Sequence, residues 1–118
     1  MLKHISEADI LFHSSLEECM PGPIIEAMAL RVPVVAASEA SGSEWLLDGG
    51  ICGKLSSGLD VQSMGKALLE SISQKETIRA MVSMAYSRAQ YLSRAEYVLE
   101  AYNLVYADAL RSHNGRQE

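Results

Sequence analysis

The sequence is poor in cysteine and has no excess of basic residues. Ten lysines and arginines stand against 15 aspartates and glutamates, which gives a formal net charge of −5. This balance argues against a general basic surface for nucleic acid, and we expect no nucleic-acid partner. Cys19 and Cys52 are far apart and form no CxxC pair, which favours free thiols in a reducing compartment. The three histidines are scattered without partners at ligand spacing, so no metal site is predicted.

Long hydrophobic runs and glycine-rich phosphate motifs are also missing. The first residues lack the apolar core of a signal peptide, and the longest apolar runs are too short for a membrane span. We therefore expect a cytoplasmic protein. Neither G-x-G-x-x-G nor G-x-x-x-x-G-K-[ST] occurs, which argues against the common nucleotide-binding classes. A chain of 118 residues is long enough for one small domain, and we assign residues 1–118 to a single one.

The first half of the chain predicts a strand, a loop, a helix and a second strand. Residues 10–12 and 32–37 are short apolar runs without alternation, which is typical of strands buried on both faces of a parallel sheet. Pro23 suits the first position of the short helix between them. This order is one βαβ unit, with the two strands adjacent and parallel.

The second half is mainly helical. Residues 38–43 predict a polar turn, residues 44–47 a helical turn, and residues 53–56 a short edge strand. Asp60 is predicted to cap a helix to about residue 72, and Ser-x-x-Glu capping boxes at 73–76 and 93–96 are predicted to begin two more. The fold class is α/β, a partial Rossmann-like doubly wound parallel sheet followed by C-terminal helices. It corresponds to the second half of such a domain, without the first.

Two carboxylates flank the predicted helix start. Glu18 lies in the loop after the first strand and Glu26 in the first turns of the helix, with seven residues between them. Ligands bind at this edge of open α/β sheets, the helix N-terminus favours phosphate, and an ionised carboxylate accepts hydrogen bonds from a ribose diol. On this argument alone, a helix-dipole role for Glu26 and a solvated loop charge for Glu18 are the favoured alternative.

Four blocks at fixed spacing carry a resemblance to a known family. Residues 8–12, Ser15 to Glu18, Glu26-Ala27-Met28-Ala29 and residues 32–36 resemble the retaining GT-B glycosyltransferases of the "glycosyl transferases group 1" family. Residues 41–50 and Gly53 fit the later Gly/Glu turn and D-G-x-x-G pattern of that family. The resemblance extends from Ala8 to about Leu110, over the C-terminal, donor-binding part of the family. It implies a hexosyl-type transferase that binds a nucleotide-diphosphate sugar.

The resemblance also implies roles for individual residues. Glu26 would hold the ribose hydroxyls, and Glu18 would lie near the sugar hydroxyls and act in catalysis. Gly22, Ile24 and Ile25 would donate backbone N–H groups to the diphosphate. No cofactor and no metal are implied.

The sequence departs from the family pattern in places and covers only part of it. Ser14, Cys19, Pro21 and Arg31 replace a proline and three glycines of the pattern, and Pro21 removes one phosphate donor. The acceptor in a complete enzyme would be a glycan, a lipid-linked sugar or a surface polysaccharide, and that enzyme could be peripheral at the membrane.

We carry two hypotheses forward. The first is part of a glycosyltransferase, inactive alone, which self-associates or requires a missing N-terminal half. The second is a non-catalytic nucleotide-binding or interaction module, either a truncated remnant or the partner of a separate chain. His13 could act as an acid or base near the site, but a histidine at a strand end without a visible partner is more often structural, and we favour that role. Trp45 could stack on a base or sugar and the tyrosines could form a carbohydrate surface, but we expect Trp45 and most of the tyrosines to pack in the core.

Overall fold

Three parallel strands form the centre of the structure. A computed structural model describes residues 2–114. β1 (Leu11–His13), β2 (Val34–Ala37) and β3 (Lys54–Ser56) form one sheet in that order, with Leu11 opposite Val34 and Ala36 opposite Leu55. The predicted parallel pair and edge strand are therefore confirmed. The helices are α1 (Leu2–Ser6), α2 (Gly22–Ala29), α3 (Ser41–Leu46), α4 (Val61–Ser73), α5 (Lys75–Leu92) and α6 (Ala95–Asn114), with a 3₁₀ turn at Asp48–Gly50.

The central strand β2 is buried on both faces. Val34 and Ala36 belong to the hydrophobic core that includes Ile24 and Met28 of α2. Because alternate strand residues face opposite sides, Val35 and Ala37 face the other side of the sheet, where α4 contacts β2. Helices thus cover both faces, which confirms the predicted fold class and explains why these residues are apolar without alternation.

The predicted helix after Asp60 is present, but the two predicted capping boxes are wrong. The Asp60 carboxylate accepts a hydrogen bond from the Gln62 N–H at 3.0 Å and caps α4. In contrast, the Ser73 hydroxyl donates to the Leu69 carbonyl and the Ser93 hydroxyl to the Ala89 carbonyl. These serines bond back to the preceding helix instead of capping the next one.

Two helices differ from the sequence prediction. α3 begins at Ser41, inside the predicted polar turn, and α1 was not predicted at all. Ile5 explains why α1 forms, because it is buried in the same core as α2. Within residues 2–114, no helix combines the length and hydrophobicity needed to cross a membrane.

The second residue after α2 adopts the left-handed conformation that usually belongs to glycine. Arg31 has φ 59°, and its guanidinium lies 3.7 Å from the centroid of the Tyr86 ring. A cation–π contact at this distance offsets part of the cost of a non-glycine residue in that conformation. This contact links the end of α2 to α5, which packs against it.

The expectation that Trp45 and the tyrosines pack in the core is wrong for most of them. Trp45 is 49% exposed, and Tyr91, Tyr97, Tyr102 and Tyr106 are also exposed. α6 packs mainly against α5, and its residues 95–112 are all exposed. The radius of gyration is accordingly 17.4 Å, against about 13.5 Å for a compact chain of this length.

Candidate functional site

The candidate site lies at the carboxyl edge of the sheet, where residues 14–21 connect β1 to α2. This loop is held against the start of α3. The Gly42 N–H donates to the Glu18 carbonyl at 3.0 Å, and a Cβ on Gly42 would lie 2.3 Å from the Cys19 carbonyl oxygen. Only glycine therefore permits this approach of α3 to the loop. The contact fixes the backbone at Glu18, which the sequence analysis selected as a site residue.

The side chain of Glu26, on α2, carries a carboxylate oxygen without a hydrogen-bond partner. The side chain is partly buried, and its Oε2 atom is buried without a hydrogen-bond partner among the described residues. An ionised carboxylate only accepts hydrogen bonds, and an unsatisfied buried acceptor is costly. A ligand hydroxyl that reached this oxygen would relieve that cost. This is the environment expected of a ligand-binding carboxylate.

Glu18 has a neighbour that the sequence analysis did not identify. The Nε2 atom of His13 lies 3.7 Å from Glu18 Oε1, with the histidine side chain 14% exposed and the glutamate side chain 36% exposed. His13 is the last residue of β1, and the turn of the following loop brings Glu18 back beside it. Glu18 is thus a neighbour of His13 that the sequence does not show, and the structural role expected of His13 remains a prediction. No local spacing rule predicts such a contact, because an irregular loop forms it.

The N-terminus of α2 offers fewer backbone donors than the family resemblance implies. Pro21 is the N-cap, so the N–H groups without acceptors inside the helix belong to positions 21–24. Pro21 and Pro23 have no N–H, and the Ile24 N–H already donates to the Pro21 carbonyl at 3.1 Å. Gly22 is exposed and has open space around its Cα. Gly22 is thus the most available donor, while Ile25 lies one position beyond this set.

Ser43, like Glu26, lies near this edge and has a buried polar atom without a hydrogen-bond partner. It is fully buried in α3, and its hydroxyl oxygen has no partner among the described residues. The unpartnered atoms of His13, Glu26 and Ser43 belong to β1, α2 and α3, which surround the 14–21 loop. Of these three residues, only Glu26 was predicted from the sequence to bind the donor, and Ser43 lies in the segment 38–43 that was predicted to be a polar turn.

A separate cleft of about 440 Å³ lies between β3 and α4. Lys54 and Lys66 line it, but Lys54 Nζ is 2.6 Å from Glu70 Oε2. Glu70 therefore offsets the positive charge that an anion would need. Across residues 2–114, no group of three histidine, cysteine, aspartate or glutamate side chains is arranged to hold a metal ion.

Comparison with known proteins identifies the family. The sequence profile described as "Glycosyl transferases group 1" matches residues 1–74, which is more than half of the chain. The chain belongs to this glycosyltransferase family. The matched region contains β1, β2 and β3, both glutamates and His13. No curated protein sequence matches the chain.

Solved structures agree with this family assignment. Sucrose-phosphate synthase from Thermosynechococcus elongatus superposes with a TM-score of 0.76 at 21% identity, over 92% of this chain and 27% of that one. HepE from Anabaena, solved with UDP and also with UDP-glucose, superposes with a TM-score of 0.73 at 25% identity, over 93% of this chain and 29% of that one. The glycosyltransferase chain described here therefore spans less than a third of the length of these structural neighbours.

Proposed function

We propose that this chain forms the donor-binding part of a retaining GT-B glycosyltransferase. In this role it binds a nucleotide-diphosphate sugar at the carboxyl edge of its sheet, and Glu18 and Glu26 are the principal side-chain contacts. The observation that carries the proposal is the buried Oε2 atom of Glu26, which lacks a donor. HepE, a structural neighbour solved with UDP and UDP-glucose, supports this class of ligand.

In the complete enzyme, the sugar moves from the nucleoside diphosphate to an acceptor hydroxyl. The bond between the anomeric carbon and the diphosphate oxygen breaks, a bond to the acceptor oxygen forms with the same configuration, and the proton of the acceptor hydroxyl passes to the departing diphosphate. Glu26 accepts hydrogen bonds from the ribose, and Glu18 orients the sugar through its hydroxyls. Negative charge grows on the leaving diphosphate, and the Gly22 N–H and the positive end of the α2 dipole stabilise it.

The proposal requires no cofactor and no metal. A glycan, a lipid-linked sugar or a surface polysaccharide is the proposed acceptor class for this hexosyl-type transfer. The enzyme acts in the cytoplasm, with the complete enzyme peripheral at the membrane. The isolated chain, as the C-terminal part alone, binds the donor without transferring its sugar.

The second candidate is a non-catalytic module that binds nucleotides or another chain. Two observations favour it: β1 forms an unpaired edge of the sheet, and α6 exposes a series of apolar side chains. An in-frame continuation of the gene upstream of Met1, encoding an acceptor domain, would favour the enzyme. A genuine translation start at Met1 would favour the module.

Calorimetric titration of glutamine variants tests the donor site. Glu26→Gln removes the charge and one acceptor from the ribose contact, so its affinity for UDP should fall about tenfold or more. Glu18→Gln should bind UDP almost like the parent and lose affinity for UDP-glucose only. Glu17→Gln, at an exposed neighbouring position, is the matched control. If Glu26→Gln binds UDP as tightly as the parent does, the ribose contact is wrong, and Glu26 only interacts with the helix dipole.

A further inference from the structure

The imidazole of His13 has two ring nitrogens, and only one of them faces a polar side chain. Its Nε2 atom lies 3.7 Å from Glu18 Oε1, and its Nδ1 atom is buried with no hydrogen-bond partner among the described residues. A histidine that serves only the core usually has its buried nitrogen paired. A role in the core alone therefore does not account for His13, and its contact with Glu18 needs an explanation.

We propose that His13 is a positioning residue that holds the Glu18 carboxylate toward the donor sugar. This inference rests on the proposed function, in which Glu18 contacts the sugar and Glu26 contacts the nucleotide. His13 acts only through Glu18 and touches neither part of the donor. Its loss should therefore change recognition of the sugar and leave recognition of the nucleoside diphosphate intact.

The identity of the ring nitrogen that faces the carboxylate favours this arrangement. Nε2 is the nitrogen beside Glu18, and a hydrogen on Nε2 directs a donor toward that carboxylate. The 3.7 Å separation is longer than a hydrogen bond, and such contacts often shorten when the substrate binds.

The backbone restrains the other end of this contact. His13 is fixed by its pairing with Ala36 in the sheet, and the Glu18 carbonyl accepts the Gly42 N–H at 3.0 Å. Glu18 is thus held at its backbone by α3, and His13 lies beside its carboxylate. Without the imidazole, the carboxylate would sample more rotamers, and sugar binding would have to offset the added side-chain entropy.

Two substitutions of His13 separate positioning from packing. In His13→Gln, the amide nitrogen lies at the end of the side chain, close to the position of Nε2, and it remains a neutral donor toward Glu18. In His13→Asn, the amide nitrogen lies near the position of Nδ1 and does not reach Glu18. His4→Asn, on the exposed surface of α1, controls for the loss of a histidine.

The binding experiment compares UDP with UDP-glucose in the 118-residue chain. His13→Asn should lose roughly two- to tenfold in UDP-glucose affinity, the range for one hydrogen bond, with UDP affinity unchanged. His13→Gln should retain the UDP-glucose affinity, and in a Glu18→Gln background His13→Asn should cause no further loss. Equal losses for both ligands, or an additive loss in the double variant, would overturn the inference.

A ligand-free measurement tests the same contact without substituting the histidine. The ring nitrogen resonances of His13 report its tautomer, and Glu18→Gln should shift them while the control Glu17→Gln should not. An unresponsive ring would overturn the positioning role even if UDP-glucose binds. If the parent chain binds neither UDP nor UDP-glucose, the proposed function fails, and the sugar-positioning role fails with it.

Discussion

At the scale of single residues, Gly42 is the point where α3 and the 14–21 loop touch through their backbones. A Cβ there would lie 2.3 Å from the Cys19 carbonyl oxygen and 2.7 Å from the Glu18 carbonyl oxygen, both of them backbone atoms. Backbone atoms cannot rotate aside as the end of a flexible side chain would. The position of Glu18 therefore depends on a residue that itself has no side chain.

We predict that Gly42→Ala lowers both stability and sugar-nucleotide affinity. The loop must move to accept the new methyl group, at a cost of about 1–3 kcal/mol in the free energy of unfolding. Gly65→Ala is the control, because open space surrounds that position in α4, and it should raise the free energy of unfolding by about 0.5–1 kcal/mol. Urea unfolding and UDP-glucose titration check both variants. Parental behaviour of Gly42→Ala would show that α3 does not hold the loop.

At the scale of secondary-structure elements, Arg88 joins α5 to the end of α3. Its Nε donates to the Leu46 carbonyl at 2.9 Å and its terminal nitrogen to the Trp45 carbonyl at 2.7 Å. The guanidinium also lies 5.3 Å from the centroid of the Trp45 ring. The arginine therefore satisfies carbonyls at a helix C-terminus that would otherwise lack donors.

We predict that Arg88→Met destabilises the fold by about 1–3 kcal/mol, because two carbonyls lose their donors while the packing of the aliphatic part of the side chain is kept. Arg79→Met is the matched control on the same helix. Arg79 is exposed and pairs with Glu76 on the surface, so its replacement should cost less than about 1 kcal/mol. The measurement is the midpoint of urea unfolding. Equal shifts for the two variants would contradict the capping role.

The pairing of β3 with α4 should make stability depend on pH. The hydrogen bond from Lys54, and then its charge, lower the pKa of the Glu70 carboxyl from its ordinary value. Because this pKa is lower in the folded state than in the unfolded state, the ion pair stabilises the fold at pH values above the ordinary pKa of glutamate. This stabilisation is lost as the pH falls through the folded-state pKa. We therefore predict that the loss of stability from pH 6 to pH 3 is smaller in Glu70→Gln than in the parent.

Lys54→Met provides the matching test of this ion pair. It should reduce the same pH dependence, and the double variant with Glu70→Gln should show no further reduction. Urea unfolding at several pH values between 3 and 6 checks this. An unchanged pH dependence in Glu70→Gln would show that the pair does not contribute.

The sequence predicted the elements whose pattern depends on burial, and it failed where tertiary contacts decide. The apolar runs of β1 and β2 and the cap at Asp60 follow directly from periodicity and capping chemistry. The serines at 73 and 93 satisfy the Ser-x-x-Glu pattern, yet their hydroxyls bond to the preceding helix, an alternative that local sequence cannot distinguish.

The same distinction applies to the candidate site. Glu18 and Glu26 were identified because the family blocks fix their spacing, and their functional roles remain predictions. His13 was missed as a partner of Glu18 because a loop, and no regular element, brings them together. Of the backbone donors that the resemblance implies at α2, Gly22 has open space around it, whereas the Ile24 N–H already donates to the Pro21 carbonyl. The roles of these donors toward a diphosphate remain predictions.

At the scale of the whole molecule, the distribution of apolar surface is uneven. The strands and α2 form a continuous buried core, whereas the large apolar side chains of α6 are exposed. The exposed set on this helix is Tyr97, Val98, Leu99, Tyr102, Leu104, Val105, Tyr106 and Leu110. An apolar surface of this extent, exposed to water, favours association.

We therefore predict that the 118-residue chain self-associates in solution. Its mass by light scattering should rise with protein concentration, because burying the apolar side chains of α6 against another copy removes them from water. Leu99→Lys and Val105→Lys should each reduce the mass at a given concentration without lowering the free energy of unfolding, since both side chains are exposed. Glu100→Gln changes the net charge by the same +1 on the side of α6 that carries Glu96 and Arg111, and it should leave association close to that of the parent. A monodisperse monomer at every concentration would contradict the prediction, and equal effects of all three variants would assign the change in association to net charge.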